Sequence, residues 1–151
     1  MTNDELMVSE LTRDEGKVDS AYQDHLGYWT IGVGRLIDKR KGGRLTDEEI
    51  NYLLMNDIKE KASQLTANLP WWKSLDEVRR RVILNMAFNL GIAGLLKFKN
   101  TLRFIETGNY TQAARNMEQS LWYKQVGKRA KRLVYMMEYG KVGDWRSLGL
   151  I

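Results

Sequence analysis

Cysteine is absent from this chain, and histidine and proline occur once each, at His25 and Pro70. The first absence excludes a disulfide framework, thiol catalysis and a zinc site built on thiolates. A single histidine excludes a His-rich metal centre and argues against a Ser-His-Asp arrangement. No metal and no cofactor are therefore expected, and any chemistry must rest on carboxylates, hydroxyls and basic groups. Long apolar runs are missing too: none approaches the roughly 20 residues of a membrane span, so no membrane insertion is expected. The first residues, "MTNDELMVSELTRDEG", are polar and acidic. They lack the basic start and apolar stretch of a secretory leader, so we expect no signal peptide and a cytosolic location.

What is present is a basic, helix-prone chain. Its 151 residues fit one compact domain, 1–151. A chain of that size buries roughly 70% of its unfolded surface and needs no covalent staples. Lys and Arg number 24 against 19 Asp and Glu, a net charge of +5. Such a surface favours an anionic partner: nucleic acid, an anionic membrane or an anionic polymer such as a bacterial cell wall. The charge does not choose among them.

Periodicity orders the elements. Thr2-x-x-Glu5 is a capping box, and Met7, Val8 and Leu11 follow at helical spacing up to a stop at Gly16. From Ala21 to Val33 the pattern turns aromatic and β-branched around "DHLG", which predicts a hairpin. The charged "DKRKGG" reads as a connection. A second capping box starts at Thr46, and Ile50, Leu53, Leu54, Ile58, Ala62 and Leu65 carry an apolar stripe to about Asn68. A helix over 46–68 is roughly 33 Å long and can join two lobes. A third box is predicted at Ser74, ahead of the apolar "VRRRVILNMAFNLG", which we place at the centre of a helical lobe. Further helices are expected over 95–107, 109–119, 121–125 and 128–139. The fold class is α+β: mainly helical, with a small N-terminal sheet lobe over about 12–55 and a helical lobe over about 69–151 that takes in the N-terminal helix.

Within the segment 14–35, "DEGKVDSAYQDHLGYWTIGVGR", Glu15 and Asp24 are separated by eight residues and Asp24 and Thr30 by five. A Gly-containing turn between the last two sets them roughly opposite each other on adjacent strands. A carboxyl facing a carboxylate-plus-hydroxyl pair suits glycosidic hydrolysis: one group protonates the leaving oxygen, and the others hold a water. Spacing alone does not compel this, because acids at helix ends and turns are common and often bond only their own backbone.

The motif "DEG…YxDxxGYWTIGVG" resembles the bacteriophage-type lysozymes, glycoside hydrolase family 24, and within them the T-even phage branch. "LTDEE", "SLDEVRRRVILNMAFNLG", "GLLKFKNTLRFI", "AARNMEQSLWYKQ" and "KRAKRLV" are similar to later family segments, in the same order. The likeness runs from about residue 5 to about 145. It implies a lysozyme-like two-lobed fold and inverting hydrolysis of the β-1,4 bond between N-acetylmuramic acid and N-acetylglucosamine in peptidoglycan. Glu15 would be the general acid, with Asp24 and Thr30 positioning the attacking water. Inversion needs the two carboxyl groups roughly 6.5–9.5 Å apart.

The likeness further assigns substrate contacts to Leu36, Phe88, Thr101 and Asn116, although Phe88 also suits packing and Thr101 and Asn116 also suit local caps. Trp122 and Tyr123 read as packing residues. Arg129 matches a family arginine that pairs with the catalytic glutamate, while Lys128 and Lys131 read as a solvated face. Where relatives read Gly-x-Gly-His, this chain reads "GVGR". Arg35 would then form a permanently charged pair with Asp57 in place of a histidine pair. His25 reads as a turn residue. The resemblance also implies a monomer that lyses the host from its cytoplasm once a holin has permeabilised the membrane.

Three other readings compete. A lytic transglycosylase would cut the same bond without water, but Asp24 and Thr30 are the water-holding half. A non-catalytic wall-binding module would not need all three site residues. A nucleic-acid binder is invited by "KRK", "RRR" and "KRAKR", but these lie in different elements without a reading motif, so no nucleic-acid partner is expected.

Overall fold

The computed structural model describes residues 2–15, 18–23, 29–32, 35–38 and 45–151, the three strand segments by their backbone only. Among residues with described side chains, 2–15 and 45–151, all regular structure is helical. The chain divides into two compact units, Met1–Glu60 and Lys61–Ile151.

In the first unit, α1 spans Asn3–Glu15. Thr2 caps it as predicted, its Oγ1 accepting the Glu5 amide at 3.1 Å. Met7 and Leu11, one turn apart, are its buried residues. The strands β1 (Val18–Gln23), β2 (Trp29–Gly32) and β3 (Arg35–Asp38) form an antiparallel sheet in the order β1-β2-β3. The third strand was not predicted. "RLID" is four residues long and runs straight into a charged segment, which hid it.

The helix α2 (Asp47–Asn68) begins in the first unit and ends in the second. Its capping box is complete: the Glu49 amide donates to Thr46 Oγ1 at 3.1 Å, and the Thr46 amide donates to Glu49 Oε1 at 3.2 Å. Asp47, Glu48 and Glu49 in the first turn complement the helix dipole. Ile50, Leu54, Ile58 and Leu65 are buried, so the predicted stripe is the inward face. The exit is set by Pro70, which has no amide to continue the ladder, and a 3₁₀ turn follows at Pro70–Ser74. Trp72 is buried there, and its indole N–H donates to the Arg80 carbonyl at 3.1 Å.

The second unit is built on α3 (Glu77–Leu96), whose residues 81–87 are all buried, as expected of a central helix. Its cap is Asp76, not Ser74: the Arg79 amide donates to Asp76 Oδ2 at 3.0 Å. Ser74 is still part of the 3₁₀ turn, and Leu75 is extended, so the first position free to cap comes two residues later. Gly91, at φ +75°, ψ 162°, interrupts α3 in a region that side chains disfavour. The helix predicted over 95–107 accordingly starts late: Leu95 and Leu96 finish α3, and α4 is Lys99–Glu106.

The remaining helices are α5 (Tyr110–Glu118), α6 (Leu121–Val126) and α7 (Lys128–Tyr139), close to their predicted bounds. The helix α7 packs on α3, α5 and α6, and α5 packs also on α4 and α6. Asn109 precedes α5 without capping it; its side-chain amide donates to Thr107 Oγ1 instead. Ser120 caps α6 by accepting the Tyr123 amide.

The carboxyl end of α7 is closed by Gly140 in the left-handed region (φ +67°) and by Arg79. The Arg79 guanidinium donates to the Met137 and Glu138 carbonyls at 2.7 and 3.0 Å and stacks 3.6 Å from the Tyr110 ring centroid. It thus satisfies orphan carbonyls with a cation at the negative end of the helix. Beyond α7, Trp145 is buried and meets Tyr135 edge to face at 5.4 Å. No single helix among the described residues is long and apolar enough to cross a membrane.

Candidate functional site

Of the residues expected to react, Glu15 is the last residue of α1 and is half-buried. Its position follows from the helix capped by Thr2, whose 13 residues end at this carboxyl. Thr30 lies in β2, where its Cα partners are Tyr22 on β1 and Leu36 on β3. Asp24 and His25 lie outside the described residues; the residue directly opposite Thr30 on β1 is Tyr22, not Asp24 as the hairpin reading set it, and Gln23 faces Trp29. Register shifts fall on both sides of β2, between Val18 and Tyr22 against β1 and between Trp29 and Thr30 against β3. Such irregularities re-aim a strand locally. Arg35 opens β3 opposite Ile31, and Asp57 is half-buried in α2.

The second unit holds the other predicted residues and brings two of them together. Thr101, the third residue of α4, is 1% exposed, and its hydroxyl donates to Asn116 Oδ1 on α5. Fifteen residues separate them in sequence; the packing of α4 on α5 unites them. With its oxygen occupied, Asn116 keeps its amide N–H groups for another acceptor. Asn116 lines an open groove of about 600 Å³ together with Lys97, Phe98, Lys99, Asn100, Gln119 and Ser120. Phe98 forms one wall and meets the buried Trp122 edge to face at 6.0 Å. The Trp122 indole N–H donates to Asn89 Oδ1 at 2.7 Å, so that residue packs, as expected, and is anchored as well.

Phe88, on α3, is half-buried rather than sealed in the core, beside the fully buried Ala87. Arg129 is buried at 9% exposure, and its Nε donates at 3.0 Å to Asn85 Oδ1, itself 0% exposed. A buried guanidinium must be hydrogen-bonded, and Asn85 holds this one in a fixed plane. Lys128 is not merely solvated: its ammonium donates to the Ile151 carbonyl at 3.0 Å, and Arg132 donates to the Leu150 carbonyl at 2.6 Å.

The groove residues Lys97, Asn100 and Gln119, and the anchors Asn85 and Asn89, were missed in the sequence. "NLG" and "KFKN" show only polar residues next to an apolar helix; nothing in their spacing says which groove they line. Among the described residues no cluster of His, Asp and Glu could hold a metal ion.

Comparison with known proteins supplies a frame for these positions. The sequence model of the family described as phage lysozyme matches residues 12–136. A probable T4-type lysozyme of Dictyostelium discoideum is 28% identical over 90% of this chain and 95% of its own length. The pre-baseplate central spike protein Gp5 of Enterobacteria phage T4 is 29% identical over 92% of this chain, which spans 28% of that protein. An endolysin of Acyrthosiphon pisum secondary endosymbiont phage 1 is 26% identical over 79% of this chain and 80% of its own length.

Proposed function

Since the chain belongs to the phage lysozyme family and is a lysozyme-type glycosidase, we propose that it hydrolyses the β-1,4 bond from N-acetylmuramic acid to N-acetylglucosamine in peptidoglycan, with inversion. Glu15 donates the proton to the leaving oxygen. Asp24 and Thr30 hold the water that attacks the anomeric carbon from the opposite side. The observation that carries this reading is the family match over 12–136, which includes all three residues in the expected order. The register supports it by pairing Thr30 with Leu36 on adjacent strands, so that the two residues assigned to water and substrate stand at one level of the sheet backbone. The same reading takes the sheet as a small lobe of a lysozyme-like fold.

In this reading Asn116 offers its amide N–H to a sugar oxygen, and Thr101 acts through it by fixing the amide's orientation. Phe88 contributes an apolar contact, and Arg129 supports the general acid. Arg35 pairs with Asp57. The enzyme works as a monomer on the host wall, from the cytoplasm, after a holin has opened the membrane.

The test is the product. Digestion of purified peptidoglycan followed by NMR should give a reducing end that is α at the anomeric carbon when first formed. A 1,6-anhydro product would replace hydrolysis by transglycosylation. On a zymogram, Glu15→Gln should clear little or nothing beside wild type; equal clearing would remove Glu15 from its role.

A further inference from the structure

The groove around Asn116 has a feature that the sugar contact proposed for Asn116 does not account for. Lys97 and Lys99 both line it, both are exposed, and neither pairs with a carboxylate among the described residues. No acidic side chain contributes to the lining. The other lining groups include three side-chain amides, Asn100, Asn116 and Gln119, and the Phe98 ring. Amides match amide and acetamido groups in donor and acceptor, while two ammonium groups without a counter-ion attract an anion. A bare glycan offers the first kind of group. Peptidoglycan offers both, because its sugars bear peptides with free carboxylates.

We propose that Lys97 and Lys99 are specificity-determining residues that read a carboxylate of the stem peptide next to the sugar held by Asn116. This rests on the reading of Asn116 as a substrate contact. Burial supports the geometry. Thr101 ties Asn116 to α4, and Phe98, between the two lysines in sequence, is held against Trp122, so the backbone that carries both lysines is anchored at the groove. Lysine suits the task because a compact ammonium on a long stem follows a mobile peptide, where a rigid fork would not.

The experiment compares kcat/KM on one peptidoglycan preparation with its stem carboxylates free and on the same preparation with them amidated by methylamine. Wild type should prefer the free form about three- to tenfold, the scale of two exposed ion pairs. The double variant Lys97→Gln/Lys99→Gln should lose that preference, chiefly through KM, and its rate on the free form should depend less steeply on salt. Lys141→Gln, which removes an exposed charge outside the groove, should keep the preference. A double variant with the wild-type ratio overturns the proposal, as does a wild type that does not distinguish the substrates. Failure to turn over either substrate would instead remove the peptidoglycan-hydrolase reading on which the role of Asn116 rests, so the two failures are separable.

Discussion

Residues 1–60 carry eight Lys and Arg against thirteen Asp and Glu, a net charge of −5, whereas residues 61–151 carry sixteen against six, a net charge of +10. The overall +5 conceals two units of opposite sign. The acidic unit holds the carboxylates to which the reaction is assigned, and the basic unit holds the groove and, among the described residues, the buried arginines and most of the buried apolar side chains. In the proposed reading, attraction of an anionic wall polymer belongs to the second unit, and bond cleavage is led from the first. Capture and chemistry should then be alterable separately, and stability in each unit separately from both.

The largest effect is expected in the acidic unit. Glu15→Gln should lower turnover by about 10²- to 10⁴-fold, the range of a general acid, while sedimentation with insoluble peptidoglycan stays at the wild-type level. Its melting temperature should stay close to wild type, since the residue closes α1 at half-exposure. Binding lost in step with turnover would break the division. Next come the core positions of the basic unit. Ile83→Ala, at 0% exposure on α3, should cost about 2–5 kcal/mol in urea unfolding. Leu11→Ala, also at 0%, offers the matching cut in the other unit. Coincident transitions by fluorescence and circular dichroism in both variants would show that the two units unfold together.

How far this was legible in the sequence depends on the range of the interaction that decides each feature. Thr2 and Thr46 revealed the starts of α1 and α2 because a cap and its helix lie within four residues. The stripe from Ile50 to Leu65 was legible for the same reason. Ser74 misled, because Pro70 sets a 3₁₀ turn that uses up that position and passes the cap to Asp76. Arg79 looked like part of a basic cluster, yet its partners are carbonyls on α7, 58 and 59 residues away. Thr101 and Asn116 could each be named as site residues by resemblance, but their mutual bond depends on how α4 meets α5. Candidate residues could thus be named one by one, whereas the groove of the second unit could not be read from the sequence.

The arginine cap gives a prediction of intermediate size. At Gly140 an added Cβ would lie 2.8 Å from Arg79 Nη1, and the φ of +67° is costly for any side chain. Gly140→Ala should destabilise by about 1–3 kcal/mol, measured by thermal melting, with activity retained below the transition. A smaller effect is expected from Arg35 and Asp57. A double-mutant cycle with Arg35→Ala and Asp57→Ala should yield a coupling of about 0.5–1 kcal/mol, flat from pH 6 to 9 because arginine does not titrate there. Zero coupling would leave Arg35 without the role proposed for it.

The smallest effect concerns one of the six acids of the basic unit. Asp144 is held below the ordinary carboxylate value, first by the Ser147 hydroxyl, which donates to Oδ2 at 2.8 Å, and then by the Ser147 amide. A group whose pKa is depressed on folding stabilises the fold above its unfolded value and loses that contribution as pH falls through the folded one. Ser147→Ala removes the larger cause, so the Asp144 carboxyl should titrate at higher pH by NMR, back toward the ordinary value of 3.8. The acid limb of the stability curve should then move only slightly, since the group is exposed and solvent screens it. Activity at neutral pH should not change. A shift in turnover would tie this turn to the groove and weaken the separation of capture from structure within the basic unit.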